Sequence, residues 1–293
     1  MSAASLQRHL EPLGFGLARL FVLDTGSVRW AGRNRPLPAH QGQRRLSSIL
    51  HPAMLLGPLT EQHWSNEGVA LFYQATTAAA KHHAFIEARR NAHSEVCFPY
   101  PPLGPHAEEF ICPPDFWECD DARAAQLNID EAHFRERCVA VLRERLKPGA
   151  LIHDPACSTG ELIAHLAQAL PRCLCLGSDL SVSMVRYAAQ RHAGLPVRFR
   201  QADAARESPA CDALILRFLN AEVVTRHDAD TLLRTLLGSL KPGGVALVFG
   251  HTPVLPAVRW VAQTLGITLE ACIAARPGQL ELFQFYQLTR PSA

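Results

Sequence analysis

Residues 150–161 read Ala-Leu-Ile-His-Asp-Pro-Ala-Cys-Ser-Thr-Gly-Glu, and no other stretch of this chain constrains its fold as tightly. A short apolar run ends on an acidic residue, passes through a turn of small side chains and enters a helical pattern. In an open α/β sheet, a strand that turns this way into a helix builds a nucleotide-sized pocket at its carboxyl end. Small side chains let a ligand approach the backbone. The helix start offers free N–H groups to a carboxylate or a phosphate.

The sequence downstream alternates between strand and helix patterns. Asn128 reads as a helix N-cap, with Glu131 three residues on and Phe134, Cys138, Val141, Leu142 and Leu146 at helical spacing. Strands are predicted over 150–154, 173–179, 197–202, 211–218 and 245–250, and helices over 160–170, 181–192, 228–240 and 256–265. Such alternation predicts a mainly parallel sheet with helices on both faces. The last two strands, over 267–274 and 280–288, are joined only by Arg276-Pro277-Gly278-Gln279 and its flanks. That link is too short for a helical crossover, so the two must be antiparallel neighbours. The expected fold is therefore α/β: a Rossmann-like, doubly wound, seven-stranded, mostly parallel sheet closed by a C-terminal antiparallel hairpin.

The first part of the chain matches no pattern of this kind. Prolines and aromatics concentrate at 98–102 and 113–117, a shift in composition that marks the passage between two regions. We divide the chain into an N-terminal region, 1–127, and a ligand-binding domain, 128–293. A hairpin is expected over 16–32, around Asp24-Thr25-Gly26-Ser27, and 41–93 reads as mostly helical, broken near Pro52 and Pro58. The region is expected to be a mainly helical lid over the carboxyl end of the sheet, closing the site to water. Tyr73, Phe98, Tyr100 and Trp117 are then candidate walls of a substrate site.

Charge argues against a nucleic-acid partner, because the net charge is only +2 and the signs are interleaved. Arg44-Arg45 and Arg89-Arg90 read as solvated faces. The nine cysteines form no C-x-x-C pair, which fits reduced core cysteines in a cytoplasmic protein better than a disulfide or zinc framework. No metal is expected. Neither a signal peptide nor a run of about 18 apolar residues is seen, so no membrane partner is expected. A small-molecule substrate fits this balance best; the oligomeric state stays open.

The second region resembles the class I S-adenosylmethionine-dependent methyltransferases over residues 128–290. Asp154 ends the first strand ahead of the turn Ala156-Cys157-Ser158-Thr159-Gly160, Asp179 ends the second, and Gln201-Ala202-Asp203-Ala204 ends the third. Leu240-Lys241-Pro242-Gly243-Gly244 leads into the fifth, as in many family members. The resemblance implies S-adenosylmethionine as cofactor, held by Asp154, Ala156, Cys157, Ser158 and Gly160 at its methionine end. Asp179 would accept from the ribose hydroxyls with Leu180 beside it, and Asp203 and Ala204 would lie against the adenine. Arg217 and Phe218, after the fourth strand, complete the set. The family's loop usually reads glycine-x-glycine-x-glycine; here Ala156 and Ser158 stand for the first two glycines. Both are small enough to keep the backbone accessible, and Cys157 between them reads as a packing residue. His251, after the fifth strand, is the first candidate for a general base or a substrate hydrogen-bond partner, with Tyr100 and Tyr73 as further catalytic candidates.

Three functions follow from the resemblance. The first is a methyltransferase acting on a small molecule in specialised metabolism. The second is a cyclase, similar to enzymes of this fold in which the amino group of S-adenosylmethionine attacks its own γ-carbon to give azetidine-2-carboxylate and methylthioadenosine. The third is a non-catalytic partner protein that binds the cofactor.

Overall fold

The structure, a computed structural model, describes residues 5–40, 43–113, 121, 124–125 and 131–292. Its first region is built from β1 (Leu6–Pro12), β2 (Leu20–Asp24), β3 (Arg29–Arg33), β4 (Pro36–His40), β5 (Gln43–Leu46), β6 (Leu55–Ser65), β7 (Gly68–Gln74), α1 (Ala78–Arg90) and β8 (Glu95–Cys97). Six of the strands form a sheet in the order β1-β7-β6-β3-β2-β8, every pairing antiparallel, while β4 and β5 pair separately. This corrects the expectation of a mostly helical region. Within 41–93 the described α-helix is α1 alone, capped by the Thr77 side chain on Ala80 N–H. Leu71, Phe72 and Tyr73 are consecutive in the sequence. In the structure Val69 and Leu71 face one way with Tyr73 and Phe72 faces the other, the period of two that a strand imposes. The hairpin expected around Asp24-Thr25-Gly26-Ser27 is present as β2–β3, with Gly26 at φ 85° in its turn.

The second region contains α2 (Ala132–Arg145), β9 (Leu151–Asp154), α3 (Glu161–Ala169), β10 (Leu174–Asp179), α4 (Val182–Arg191), β11 (Val197–Gln201), β12 (Cys211–Leu216), α5 (Arg226–Gly238), β13 (Leu240–Phe249), α6 (Val258–Thr264), β14 (Thr268–Ala275) and β15 (Leu282–Thr289). The seven strands lie in the order β11-β10-β9-β12-β13-β15-β14. The first five are parallel, and β15 runs antiparallel to both β13 and β14. Period-two alternation splits the core between two faces. Ile152, Ile215, Leu247 and Phe285 pack under α2 and α3, whereas Leu214, Leu216, Val248 and Leu288 pack under α5 and α6. Each such side chain contributes about 2 kcal/mol by leaving water. The N-cap proposed at Asn128 lies outside the described residues. The helix itself starts at Ala132, and Glu131, its N-cap residue, makes no side-chain capping bond.

The two regions share a core. Phe21, Leu23, Trp30 and Phe85 pack with Leu282, and Ile273 and Ala275 of β14 lie against the same cluster. Hydrogen bonds fix the seam: Ser48 donates from N to His251 O at 2.9 Å and from Oγ to Gly250 O at 2.6 Å, and Gln284 Nε2 donates to Val96 O at 3.0 Å. Arg259 Nε pairs with Glu95 Oε2 at 2.6 Å. The antiparallel sheet thus sits on the C-terminal hairpin, and the segment after β5 binds the one that follows β13. No described helix is long and apolar enough to cross a membrane.

Candidate functional site

β9 ends on Asp154, and the small-residue turn that follows folds back against the end of β10. Cys157 N–H donates to Ser178 O at 2.8 Å, Gly160 N–H to Cys157 O at 2.9 Å, and Ser158 N–H to Asp179 Oδ2 at 2.8 Å. Two of the turn residues are left-handed: Gly160 at φ 77° and Ser158 at φ 51°. A Cβ on Gly160 would lie 2.7 Å from Phe199 and 2.9 Å from Ala188, so this position admits no side chain. Ser158 stands where a glycine would be unstrained, at a cost of about 1 kcal/mol or more. Cys157 is fully buried, and burial pushes its thiol well above its ordinary pKa, as suits a packing residue.

Asp179 closes the turn from the other side. Its Oδ1 accepts from Ser181 N–H at 2.9 Å, so each carboxylate oxygen holds one backbone N–H and keeps acceptor capacity for a second donor. Leu180, next in sequence, is 69% exposed, an apolar surface beside that carboxylate. Asp203, after β11, accepts from Ala205 N–H at 2.9 Å and pairs with Arg206 at 3.5 Å, while Ala202 N–H bonds Asp179 O at 3.0 Å. Ala204 and Phe218 are half-buried against the core beneath α5.

Arg217, directly after β12, is drawn inward. Nη1 donates to both oxygens of Glu131, at 2.8 and 2.7 Å, Nη2 donates to Cys157 O at 2.6 Å, and Nε lies 3.4 Å from Asp154 Oδ2. Burial works against this charge, but Glu131 and Asp154 outweigh it and raise the guanidinium pKa further. Sequence reasoning reaches Arg217 through its place after the fourth strand and misses Glu131, which reads as half of a capping box. An ion pair between residues 86 apart leaves no local signal.

Asp154 is completely buried, with Arg217 Nε 3.4 Å from its Oδ2 and a backbone hydrogen bond from Ala156 N–H. Desolvation raises its pKa to about 6; Arg217 opposes the rise, and Glu131 and Asp179 add to it. Between its unfolded value of 3.8 and about 6, the folded protein holds a proton that the unfolded chain has lost. The ionised group therefore lowers stability above pH 6, and that penalty is relieved as pH falls through 6 towards 4. A ligand ammonium needs the ionised form. Affinity for such a ligand is expected to fall by up to tenfold per pH unit below about 6. Calorimetry of S-adenosylhomocysteine binding from about pH 7.5 to 5 checks this, and Asp154→Asn should flatten the profile; an equal slope in the variant assigns the titration elsewhere.

His251 follows β13 at the seam with the antiparallel sheet, half-buried, its carbonyl held by Ser48. It acts on His133 of α2, whose pKa is pushed down to about 4 by burial, then by Arg276 and His251. Tyr73 and Tyr100 lie elsewhere. They pack with Leu17, Leu20 and Leu71 in a second core of the N-terminal sheet, on the face opposite Phe21 and Leu23. The structure does not bring them to the turn or to His251, which corrects their expected place. Alternation along the strands sends Tyr73 away from the hairpin, and Tyr100 stacks near Trp64, with centroids 5.4 Å apart. Phe98 is buried beside Phe21, and Trp117 lies outside the described residues. Among the described residues no group of three or more His, Cys, Asp or Glu is placed to hold a metal.

Residues 152–244 match the model of a methyltransferase domain. Isonocardicin synthase of Nocardia uniformis subsp. tsuyamanensis is 30% identical over 282 residues, which cover 92% of this chain and 91% of that protein. The chain belongs to the class I S-adenosylmethionine-dependent methyltransferase family. A trans-aconitate 2-methyltransferase of Deinococcus radiodurans is 34% identical over 137 residues, 46% of this chain and 47% of the relative. Among solved structures, the magnesium protoporphyrin IX methyltransferase of Synechocystis PCC 6803 with bound S-adenosylmethionine aligns over 56% of this chain and 81% of that one, with 22% identity and a TM-score of 0.45. The family's cofactor is S-adenosylmethionine. The residues present fit it: a buried carboxylate at Asp154, a side-chain-poor turn, and a second carboxylate at Asp179 next to the exposed Leu180.

Proposed function

We propose that the chain transfers a group from S-adenosylmethionine to a small molecule, with methyl transfer as the first reading and the N-terminal sheet as the acceptor-side lid. The observation that carries this is the N-terminal segment after β5, whose Ser48 binds the carbonyls of Gly250 and His251 immediately beyond β13. Acceptors in open α/β sheets enter at this end of the strands. When bound, the cofactor supplies a sulfonium whose methyl and γ-carbon are both electrophilic. The protein's own tasks are then alignment, exclusion of water and, for a protonated nucleophile, a base. Asp179 and the turn hold the nucleoside and methionine ends. Asp203 and Ala204 flank the adenine, and His251 takes the acceptor proton.

The second reading is cyclisation, in which the amino group of S-adenosylmethionine attacks its own γ-carbon to give azetidine-2-carboxylate and methylthioadenosine. The relative that spans both regions is named a synthase, whereas the named methyltransferases match 36–46% of this chain. The by-product separates the readings. Mass spectrometry after incubation with S-adenosylmethionine, alone and with acceptor pools, should show S-adenosylhomocysteine for methyl transfer and methylthioadenosine for γ-carbon attack. Neither product above the spontaneous background would leave a cofactor-binding protein without turnover. In the productive assay His251→Gln should lower kcat about 100-fold while leaving S-adenosylhomocysteine affinity within about twofold; full activity removes His251 as the base.

A further inference from the structure

α3 divides its residues between two surroundings. Leu162, Ile163 and Leu166 enter the core, whereas Glu161, Ala164, His165 and Gln168, spaced i, i+3, i+4 and i+7, line a cavity. Arg135 of α2 and Arg191, His192 and Ala193, where α4 ends, contribute the other walls. The cavity measures about 440 Å³, and pockets that hold small molecules run from roughly 300 to 1,000 Å³. The short side chains of Ala164 and Ala193 leave it open. None of its walls belongs to the set assigned to S-adenosylmethionine. It adjoins the cofactor turn without sharing a residue with it, because Glu161 follows Gly160 and the His192 ring donates from Nε2 to Thr159 O at 3.1 Å.

The charge of the lining is unbalanced. Two guanidinium groups, Arg135 and Arg191, meet one carboxylate, Glu161. That carboxylate is held loosely: its Oε1 lies 3.5 Å from Arg191 Nε and 3.9 Å from His192 Nε2. The Arg191 side chain is 60% exposed and keeps most of its five N–H donors for another partner. His165 registers the excess of positive charge. Its pKa is held below the ordinary value by burial first and then by Arg135, with Glu136 opposing. A cation entering here would meet two guanidinium groups, and an apolar ligand would take their water without replacing it. An anion answers both, since guanidinium and carboxamide N–H groups donate to it from several sides. We propose that this cavity binds a small metabolite through a phosphate or carboxylate group, held between Arg135 and Arg191 with Gln168 and His165 as further donors. The site is independent of the reaction proposed above.

The test is calorimetry on the full chain with inorganic phosphate and with citrate, at an ionic strength held constant with chloride. At least one probe should saturate with a Kd of about 1 mM or tighter. Tighter phosphate assigns a phosphorylated ligand, and tighter citrate a polycarboxylate. Arg135→Gln and Arg191→Gln should each weaken the better probe about tenfold, the loss of one charge-assisted contact. Arg90→Gln, at an exposed cation of α1, should leave it within about twofold. Saturation with S-adenosylhomocysteine should also leave it within about twofold, because the two sites share no residue. The exposure of Arg191 makes its variant safe for folding, and an unchanged Tm checks this. Four outcomes would overturn the proposal: no saturable binding of either probe, unchanged affinity in both Arg135→Gln and Arg191→Gln, equal weakening in all three variants, or displacement of the probe by S-adenosylhomocysteine, which would put the anion in the cofactor site.

Discussion

Asp179→Ala is expected to weaken S-adenosylhomocysteine binding at least 100-fold. Two effects combine. In the proposed cofactor site the carboxylate would offer its remaining lone pairs to two ribose hydroxyls, and hydrogen bonds to a charged acceptor contribute about 1.5–3 kcal/mol each. It also holds the turn, because Oδ2 accepts from Ser158 N–H at 2.8 Å and Oδ1 from Ser181 N–H at 2.9 Å. Ser158 at φ 51° sits in a conformation that favours glycine, and the bond to Asp179 is part of what keeps it there. Alanine removes the acceptor and the restraint together. Asp179→Asn keeps one acceptor oxygen and should lose about tenfold. Calorimetry on the three proteins decides the matter: unchanged affinity in the alanine variant removes the ribose assignment. A fall of several degrees in Tm with unchanged affinity would confine Asp179 to the turn.

Asp154 and Asp179 are legible in the sequence because the physics that places them is local. A strand of Leu-Ile-His-Asp must stop where Pro155 and the small residues begin, and its last residue then points to the ligand end of the sheet. The same logic reaches Asp203 and His251, each at the end of a strand whose apolar run is visible. Arg217 follows from its place in the sequence, but its partners do not. Glu131 reaches it from the N-terminus of α2, 86 residues away, and the sequence shows there only an acidic residue three positions after Asn128. The N-terminal sheet is hidden for a related reason. β1 is exposed over most of its length and β6 is exposed from Thr60 to Ser65, so neither displays the alternation of a half-buried strand. Pro58 and Gly57 sit inside β6 and read as breakers. Its register is set by β7 and β3, with Leu59 opposite Tyr73 and Trp30 opposite Pro58, and tertiary pairing overrides local propensity. Val69, Leu71 and Tyr73, alternating after the turn residues Asn66 and Glu67, are the available sign of a strand.

Glu222 holds β5 and the segment at Cys112 against the second region. This residue follows β12, is 3% exposed and holds φ at 74°, an unusual conformation for a residue with a side chain. Its Oε1 accepts from Leu46 N–H at 3.0 Å and its carbonyl accepts from Cys112 N–H at 2.8 Å, so one residue ties two N-terminal segments to the end of the fourth parallel strand. Strain held at a buried, doubly tied position points to a positional role. Glu222→Ala leaves the buried Leu46 N–H without its acceptor while keeping the strain, and should cost about 2–3 kcal/mol. Glu222→Gln retains an acceptor oxygen and should stay close to wild type. Glu222→Gly loses the acceptor but releases the left-handed strain, and should recover about 1 kcal/mol of the alanine loss. The expected order of urea midpoints is therefore wild type and glutamine, then glycine, then alanine. Leu46 lies two residues from Ser48, which binds the carbonyls of Gly250 and His251. Loosening Leu46 should thus loosen the acceptor side of the site. In Glu222→Ala the KM for the acceptor should rise at least fivefold while S-adenosylhomocysteine affinity stays within about twofold. An alanine variant as stable as wild type, or one in which both affinities fall together, would mean that Glu222 does not seat the segment around β5 over the proposed acceptor end.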